Sequence, residues 1–89
     1  MDAKLIREKI KKARDHLTES TLKSYTYNVL RVHRMVGSFS AKKIEEGFSE
    51  LKPSIARALV NSVIVYKKAT GTKETPELDI LKSKYDTEF

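Results

Sequence analysis

The chain has 89 residues, of which 39% are hydrophobic and 34% are charged, and it contains no cysteine. This length has room for one domain, residues 1–89, and the lack of cysteine excludes disulfide scaffolds, thiolate metal sites and cysteine nucleophiles. The formal net charge of +6 favours a polyanionic partner, and residues 1–37 carry most of it, with nine Lys and Arg against four Asp and Glu.

Apolar residues recur at helical spacing along the whole chain, which predicts five helices and no strand. The first helix covers about residues 3–15. The second follows the N-cap residue Thr18 and runs to about Val36, before Gly37 supplies the left-handed residue that commonly ends a helix. The core-facing stripe of this second helix is Leu22, Tyr25, Val29, Val32 and Val36.

Three further helices complete the predicted fold. The third runs from the cap residue Ser40 to about Lys52, the fourth from Pro53 to about Thr70, and the short fifth begins after Thr75. Apolar residues nearly encircle the fourth helix, so we expect it to lie at the centre. One side of it carries Ile55, Ala56, Leu59, Val63 and Tyr66. We therefore expect an all-α protein, a compact bundle of four to five helices.

The outer face of the second helix is basic and aromatic. At about 100° per residue, four of its residues fall within roughly a 100° sector: Lys23, Tyr27, Arg31 and Arg34. Guanidinium groups bind phosphate or guanine, lysine provides a mobile charge, and a phenol can donate to phosphate. This face has no acid, so nucleic-acid binding is favoured over the alternative of a solvated helix face.

The fourth helix carries a narrow polar strip. Arg57, Asn61 and Lys68 fall within a sector about 40° wide on an otherwise apolar helix. Arginine can read guanine and asparagine can pair with adenine in a major groove, but the strip could equally mark where the central helix reaches water. Ser54, near the start of this helix, is a candidate phosphate contact because free backbone N–H groups and the positive helix end lie there.

The first helix has a basic stripe as well. Lys4, Arg7, Lys11 and Arg14 lie within about 80° of one another and could follow a phosphate strand. For this stripe, solvation is the favoured interpretation, because charged outer faces are the ordinary state of a surface helix.

No group of residues has the spacing of a catalytic or metal site. His16 and His33 belong to no ligand pattern, and Tyr85 has no activating cluster around it in the sequence. We therefore expect a non-enzyme without metal, cofactor or small-molecule substrate. No segment has the apolar length of a membrane span or a secretory signal, so we expect no membrane partner and a cytoplasmic location, or the host nucleus for a viral or eukaryotic source.

Two runs, LTESTLKSYTYNVLRVHRMVG and LKPSIARALVNSVIVYKKATG, resemble the core-binding, SAM-like N-terminal domain of tyrosine recombinases. This phage-integrase family includes relatives encoded by large DNA viruses. The first run matches the family pattern at Thr18, Thr21, Tyr25, Val29 and Val32. The second run matches it at Ser54, Ala58, Leu59, Val63, Ile64 and Tyr66, as a helix with a serine cap. The resemblance covers about residues 17–71.

The resemblance implies that the domain forms half of a clamp around duplex DNA, with the second and fourth helices facing the major groove. It also implies a catalytic domain absent from this chain, and either that domain or other recombinase protomers as partners. The alternative is a small helical protein-interaction module. Such a module would dock through the fifth helix, or through Leu30 and Met35, and its basic charge would be incidental.

Overall fold

The computed structural model describes residues 2–87, and every regular element in this range is an α-helix. The helices are α1 (Ala3–Ala13), α2 (Glu19–Val36), α3 (Ala41–Gly47), α4 (Pro53–Ala69) and α5 (Pro76–Thr87). They pack into a bundle of 31 × 23 × 21 Å. The predicted all-α helical bundle is confirmed. None of the helices in residues 2–87 has the length and apolar character needed to cross a membrane.

Both predicted ends of α2 are confirmed, because local capping determines them. The Thr18 hydroxyl accepts a hydrogen bond from the Thr21 backbone N–H at 3.2 Å, which satisfies one of the free donors of the first turn. At the other end Gly37 has a left-handed backbone, with φ of 73°, and its N–H donates to the His33 carbonyl. Gly37 has no Cβ, so this backbone conformation carries no steric penalty.

α3 is shorter than predicted, since it ends at Gly47 and not near Lys52. The helix stops at Gly47, since glycine is a weak helix former, and a turn follows in which the Leu51 N–H donates to the Phe48 carbonyl at 3.0 Å. Pro53 then disfavours a helical backbone in the residue before it. Lys52 is accordingly extended, with ψ of 141°, and it serves as the N-cap of α4. Ser54 is therefore not the cap suggested by the family pattern, but an exposed residue inside the first turn.

α4 is the central helix, as predicted, because it packs against α1, α2 and α5. Its buried residues are Ala56, Leu59, Val60, Ser62, Val63, Ile64 and Val65. Val65 joins a cluster with α1 and α2, whereas Val63 joins a second cluster with α3 and α5. Ile55 departs from the prediction, since 38% of it is exposed at the end of the bundle where α4 begins.

The buried face of α2 is rotated slightly from the predicted stripe. Tyr25 is only half-buried, whereas Thr26 is 8% exposed. Because α1 packs along α2, the contact extends toward Thr26. The Thr26 hydroxyl donates to the Leu22 carbonyl at 2.8 Å, so its burial leaves no unsatisfied polar group.

Candidate nucleic-acid interface

We call the outward side chains Lys23, Tyr27, Arg31 and Arg34 the α2 basic face. Lys23, Tyr27 and Arg34 are exposed, and Arg31 is half-buried. None of the three cations forms an ion pair within residues 2–87. All three charges are therefore available to an anion from outside the domain, and no carboxylate on this face opposes them.

The opposite side of α2 holds this face in position. Leu22, Val29 and Val32 are fully enclosed in the core. At the edge of the face, the Asn28 amide donates to the Ser62 hydroxyl of α4 at 3.0 Å, and that hydroxyl donates to the Ala58 carbonyl. These contacts prevent α2 from rotating about its axis, so the outward residues keep a constant orientation.

A groove of about 690 Å³ lies between α1 and α2, and we call it the α1–α2 groove. Its lining residues are Ala3, Lys4, Arg7, Glu19, Ser20, Lys23, Thr26, Tyr27 and Leu30. The groove therefore brings Lys4 and Arg7 of the α1 basic stripe into one cleft with Lys23 and Tyr27 of the α2 basic face. Its polar lining carries three cations and one carboxylate, and Leu30 contributes apolar surface.

Arg7 and Glu19 form an ion pair across this groove. Arg7 Nη2 lies 2.7 Å from Oε1 and 2.6 Å from Oε2 of Glu19. This hydrogen bonding, together with the Arg7 charge, lowers the pKa of the Glu19 carboxyl, and the charges of Lys11 and Lys23 lower it further. Glu19 thus pairs with Arg7 and also interacts with the nearby Lys23 charge, and Lys4 and Lys23 are the cations of the groove that form no ion pair within residues 2–87.

The α4 strip lies outside the α1–α2 groove. It consists of Arg57, Asn61 and Lys68. Arg57 and Asn61 are half-buried, Lys68 is exposed, and none of them lines the α1–α2 groove. The Arg57 Nε atom forms an ion pair with the Asp86 carboxylate of α5. The Asn61 side chain has no hydrogen-bond partner in the part of the chain that the structure describes. Unlike Arg57, Asn61 can therefore bind a new partner without breaking an existing side-chain contact.

From the sequence, the α1 and α2 basic residues form two separate surfaces, and Asn28 is not a candidate site residue. The short connection between the two predicted helices could have indicated that these surfaces adjoin, because helices joined by few residues pack as antiparallel neighbours. Asn28 lies beside Lys23 and Tyr27 in a second, shallower depression along α2. Its role in orienting α2 depends on Ser62, which is 34 residues away in the sequence.

Comparisons of this chain with protein-family models, with curated proteins and with solved structures find no match. Functional inference therefore depends on the charge, exposure and geometry of these surfaces.

Proposed function

We propose that this domain binds duplex DNA through the α2 basic face, as a SAM-like core-binding domain of the tyrosine recombinase kind. In this role it positions the duplex, and a catalytic domain outside the chain carries out the chemistry. The observation that carries the proposal is a single helix face with one exposed tyrosine and three cations that form no ion pair within residues 2–87.

The chemistry of the α2 basic face matches that of a DNA backbone and groove edge. Lys23 and Arg34 supply exposed charge for phosphate, and Tyr27 supplies a hydroxyl donor. Neutralising phosphates releases counterions, so the affinity is expected to fall steeply as salt rises. The 18 residues of α2 extend over about 27 Å, which is long enough to cross a major groove about 12 Å wide.

The α4 strip would add contacts on the same duplex. In this proposal Asn61 pairs with adenine, and Arg57 exchanges Asp86 for guanine or phosphate. Ser54 and Lys68, both exposed, contact phosphates at opposite ends of α4. The packing of α4 against α2 supports this arrangement, because two adjoining helices can approach one groove together.

Charge reversal tests the proposal directly. The double variant Arg31→Glu/Arg34→Glu is expected to bind duplex at least about tenfold more weakly in low salt, because it replaces two attractive contacts by repulsion. Fluorescence anisotropy measures the affinity, and circular dichroism checks that the helix content is unchanged.

The matched control is Lys42→Glu/Lys43→Glu, on the exposed start of α3. It changes the net charge by the same amount, but away from the α2 basic face. If both double variants lost the same affinity, the attraction would come from overall charge, and the assignment of the face would be wrong.

A second candidate function is protein binding through α5. Ile80 is 71% exposed on this helix and adjoins a groove of about 240 Å³ between α3 and α5. An apolar side chain beside a groove is the kind of anchor that a docked helix or peptide uses. The dependence of duplex affinity on Arg31 and Arg34 separates the two candidates, because protein docking through Ile80 does not involve the α2 basic face.

A further inference from the structure

The α1–α2 groove has apolar lining that a DNA backbone does not use. Ala3 and Leu30 contribute apolar atoms, which we call the floor, and the Thr26 hydroxyl already donates to the Leu22 carbonyl. A hydrated, anionic backbone gains little from such a floor. The groove is open to solvent and has a volume of about 690 Å³, so it has room for an occupant with both an apolar and an anionic part.

The charged residues of the groove are partly paired and partly unpaired. Arg7 and Glu19 compensate each other, whereas Lys4 and Lys23 remain unpaired within residues 2–87. Tyr27 lies on the α2 side with 56% of its surface exposed, so one face of its ring is accessible. The groove thus places two free ammonium groups beside an aromatic ring and an apolar floor.

We infer that the α1–α2 groove binds unpaired nucleotides that adjoin a duplex, with bases over the apolar floor and phosphates against Lys4 and Lys23. This inference rests on the proposed duplex binding, because Lys23 and Tyr27 belong to both the groove and the α2 basic face. Aromatic side chains accept any base by stacking, since every base has a π-face. Tyr27 is the stacking surface, and the ammonium groups follow the backbone.

The α1–α2 groove adjoins the α2 basic face, and this favours nucleic acid over a protein segment as the occupant of the groove. An acidic peptide with apolar side chains would also satisfy the ammonium groups and the floor. However, an overhang is covalently continuous with the duplex on the α2 basic face, so Lys23 can contact a phosphate at their junction, whereas a separate peptide would compete with the duplex for Lys23.

The test compares three DNA probes by fluorescence anisotropy in the same salt. They are a blunt duplex, the same duplex with a short thymidine overhang, and the same duplex with an abasic overhang of equal length. The two overhangs carry equal numbers of phosphates, so counterion release cancels in their comparison. We expect the thymidine overhang to bind about five- to tenfold more tightly than the abasic one, which corresponds to stacking of one base.

Four variants identify the groove as the origin of that difference. Tyr27→Ala removes the stacking ring, and Ala3→Phe fills the floor, so both are expected to abolish the preference for thymidine. Tyr27→Phe keeps the ring and should retain the preference. Met35→Ala is the matched control, because Met35 is a similarly exposed residue of α2 that does not line the groove.

Equal affinity for the thymidine and abasic overhangs would overturn the inference and leave the groove to a protein segment. A preference that persists in both Tyr27→Ala and Ala3→Phe would also overturn it, because the bases would then bind elsewhere. In either case, binding of the blunt duplex that depends on Arg31 and Arg34 would keep the proposed function intact. If none of the probes bound in low salt, both proposals would fail.

Discussion

Tyr25 and Tyr27 are two residues apart in α2, so their side chains point about 200° apart around the helix axis. Tyr25 is half-buried and packs against the cluster that contains Ile6 and Leu22. Tyr27 is 56% exposed on the α2 basic face. The same residue type therefore serves packing at one position and is available for binding at the other.

This difference predicts unequal effects on stability. Tyr25→Ala is expected to lower the free energy of unfolding by about 1–2 kcal/mol, less than the roughly 3–5 kcal/mol for a fully buried aromatic. Tyr27→Ala should change it by less than about 0.5 kcal/mol, as for an ordinary surface residue. Urea denaturation measures both values. The opposite order would mean that the orientation of α2 is wrong.

The Arg7–Glu19 pair allows a second prediction for single residues. Because Arg7 lowers the pKa of Glu19, the pair stabilises the fold above the ordinary Glu value of 4.5, and this contribution is lost as the pH falls through the lowered value. Arg7→Gln is expected to raise the Glu19 pKa back toward 4.5. An NMR titration of the Glu19 carboxyl measures the shift.

Lys9→Gln is the control for this titration, since Lys9 lies on α1 and does not contribute to the Glu19 shift. It should leave the Glu19 pKa almost unchanged. If the two variants shifted the pKa equally, the ion pair would not be its cause, and the general positive charge of α1 would account for it.

At the scale of the elements, α3 packs closely against the end of α2. A Cβ built on Gly47 would lie 2.8 Å from Val36 Cγ2, a distance that real Cβ contacts do not show. Val36 is β-branched and has few rotamers available, so it cannot easily move aside. The lack of a side chain at position 47 therefore allows α3 to approach α2.

This contact predicts that Gly47→Ala has opposite effects on stability in the natural chain and in a Val36→Ala variant. In the natural chain, Gly47→Ala should destabilise the fold by about 1 kcal/mol or more, because overcrowding outweighs the better helix propensity of alanine. In a Val36→Ala background the crowding is relieved, and Gly47→Ala should then stabilise by up to about 1 kcal/mol. Denaturation of the four proteins in this double-mutant cycle gives the coupling energy, and additive effects would rule out the contact.

In the assembled bundle, α5 contacts the α4 strip through Arg57. Leu78, Leu81 and Tyr85 anchor α5 in the core, and Asp86 at its end reaches Arg57. Both charged side chains are roughly half exposed, so the pair adds little to stability. It does hold the Arg57 guanidinium near its own carboxylate, and DNA would have to displace that carboxylate.

The strip therefore predicts three distinct binding profiles. Asn61→Ala should cost about 1–3 kcal/mol on a preferred site and less on random duplex, as expected for a base contact. Lys68→Ala should weaken all sequences alike and lower the salt slope by about one unit. Asp86→Asn should strengthen binding, because it frees Arg57. Titrations at several salt concentrations separate these outcomes, and three unchanged profiles would leave the strip as a solvated edge of α4.

The order of the helices, both ends of α2 and the central place of α4 follow from the amino-acid sequence. These features depend on interactions within a few residues, such as the Thr18 cap, the Gly37 backbone and the periodicity of apolar side chains. The four outward residues of the α2 basic face were predictable for the same reason, because one helix sets their common direction.

Tertiary packing, by contrast, sets how these helix faces combine. It joined the α1 stripe to the α2 basic face in one groove, paired Arg57 with Asp86, and buried Thr26 where the stripe predicted Tyr25. Each of these outcomes depends on which helices pack together and on how each helix is rotated about its own axis. The residues involved lie far apart in the chain, and periodicity within one helix carries no information about the position of its neighbours.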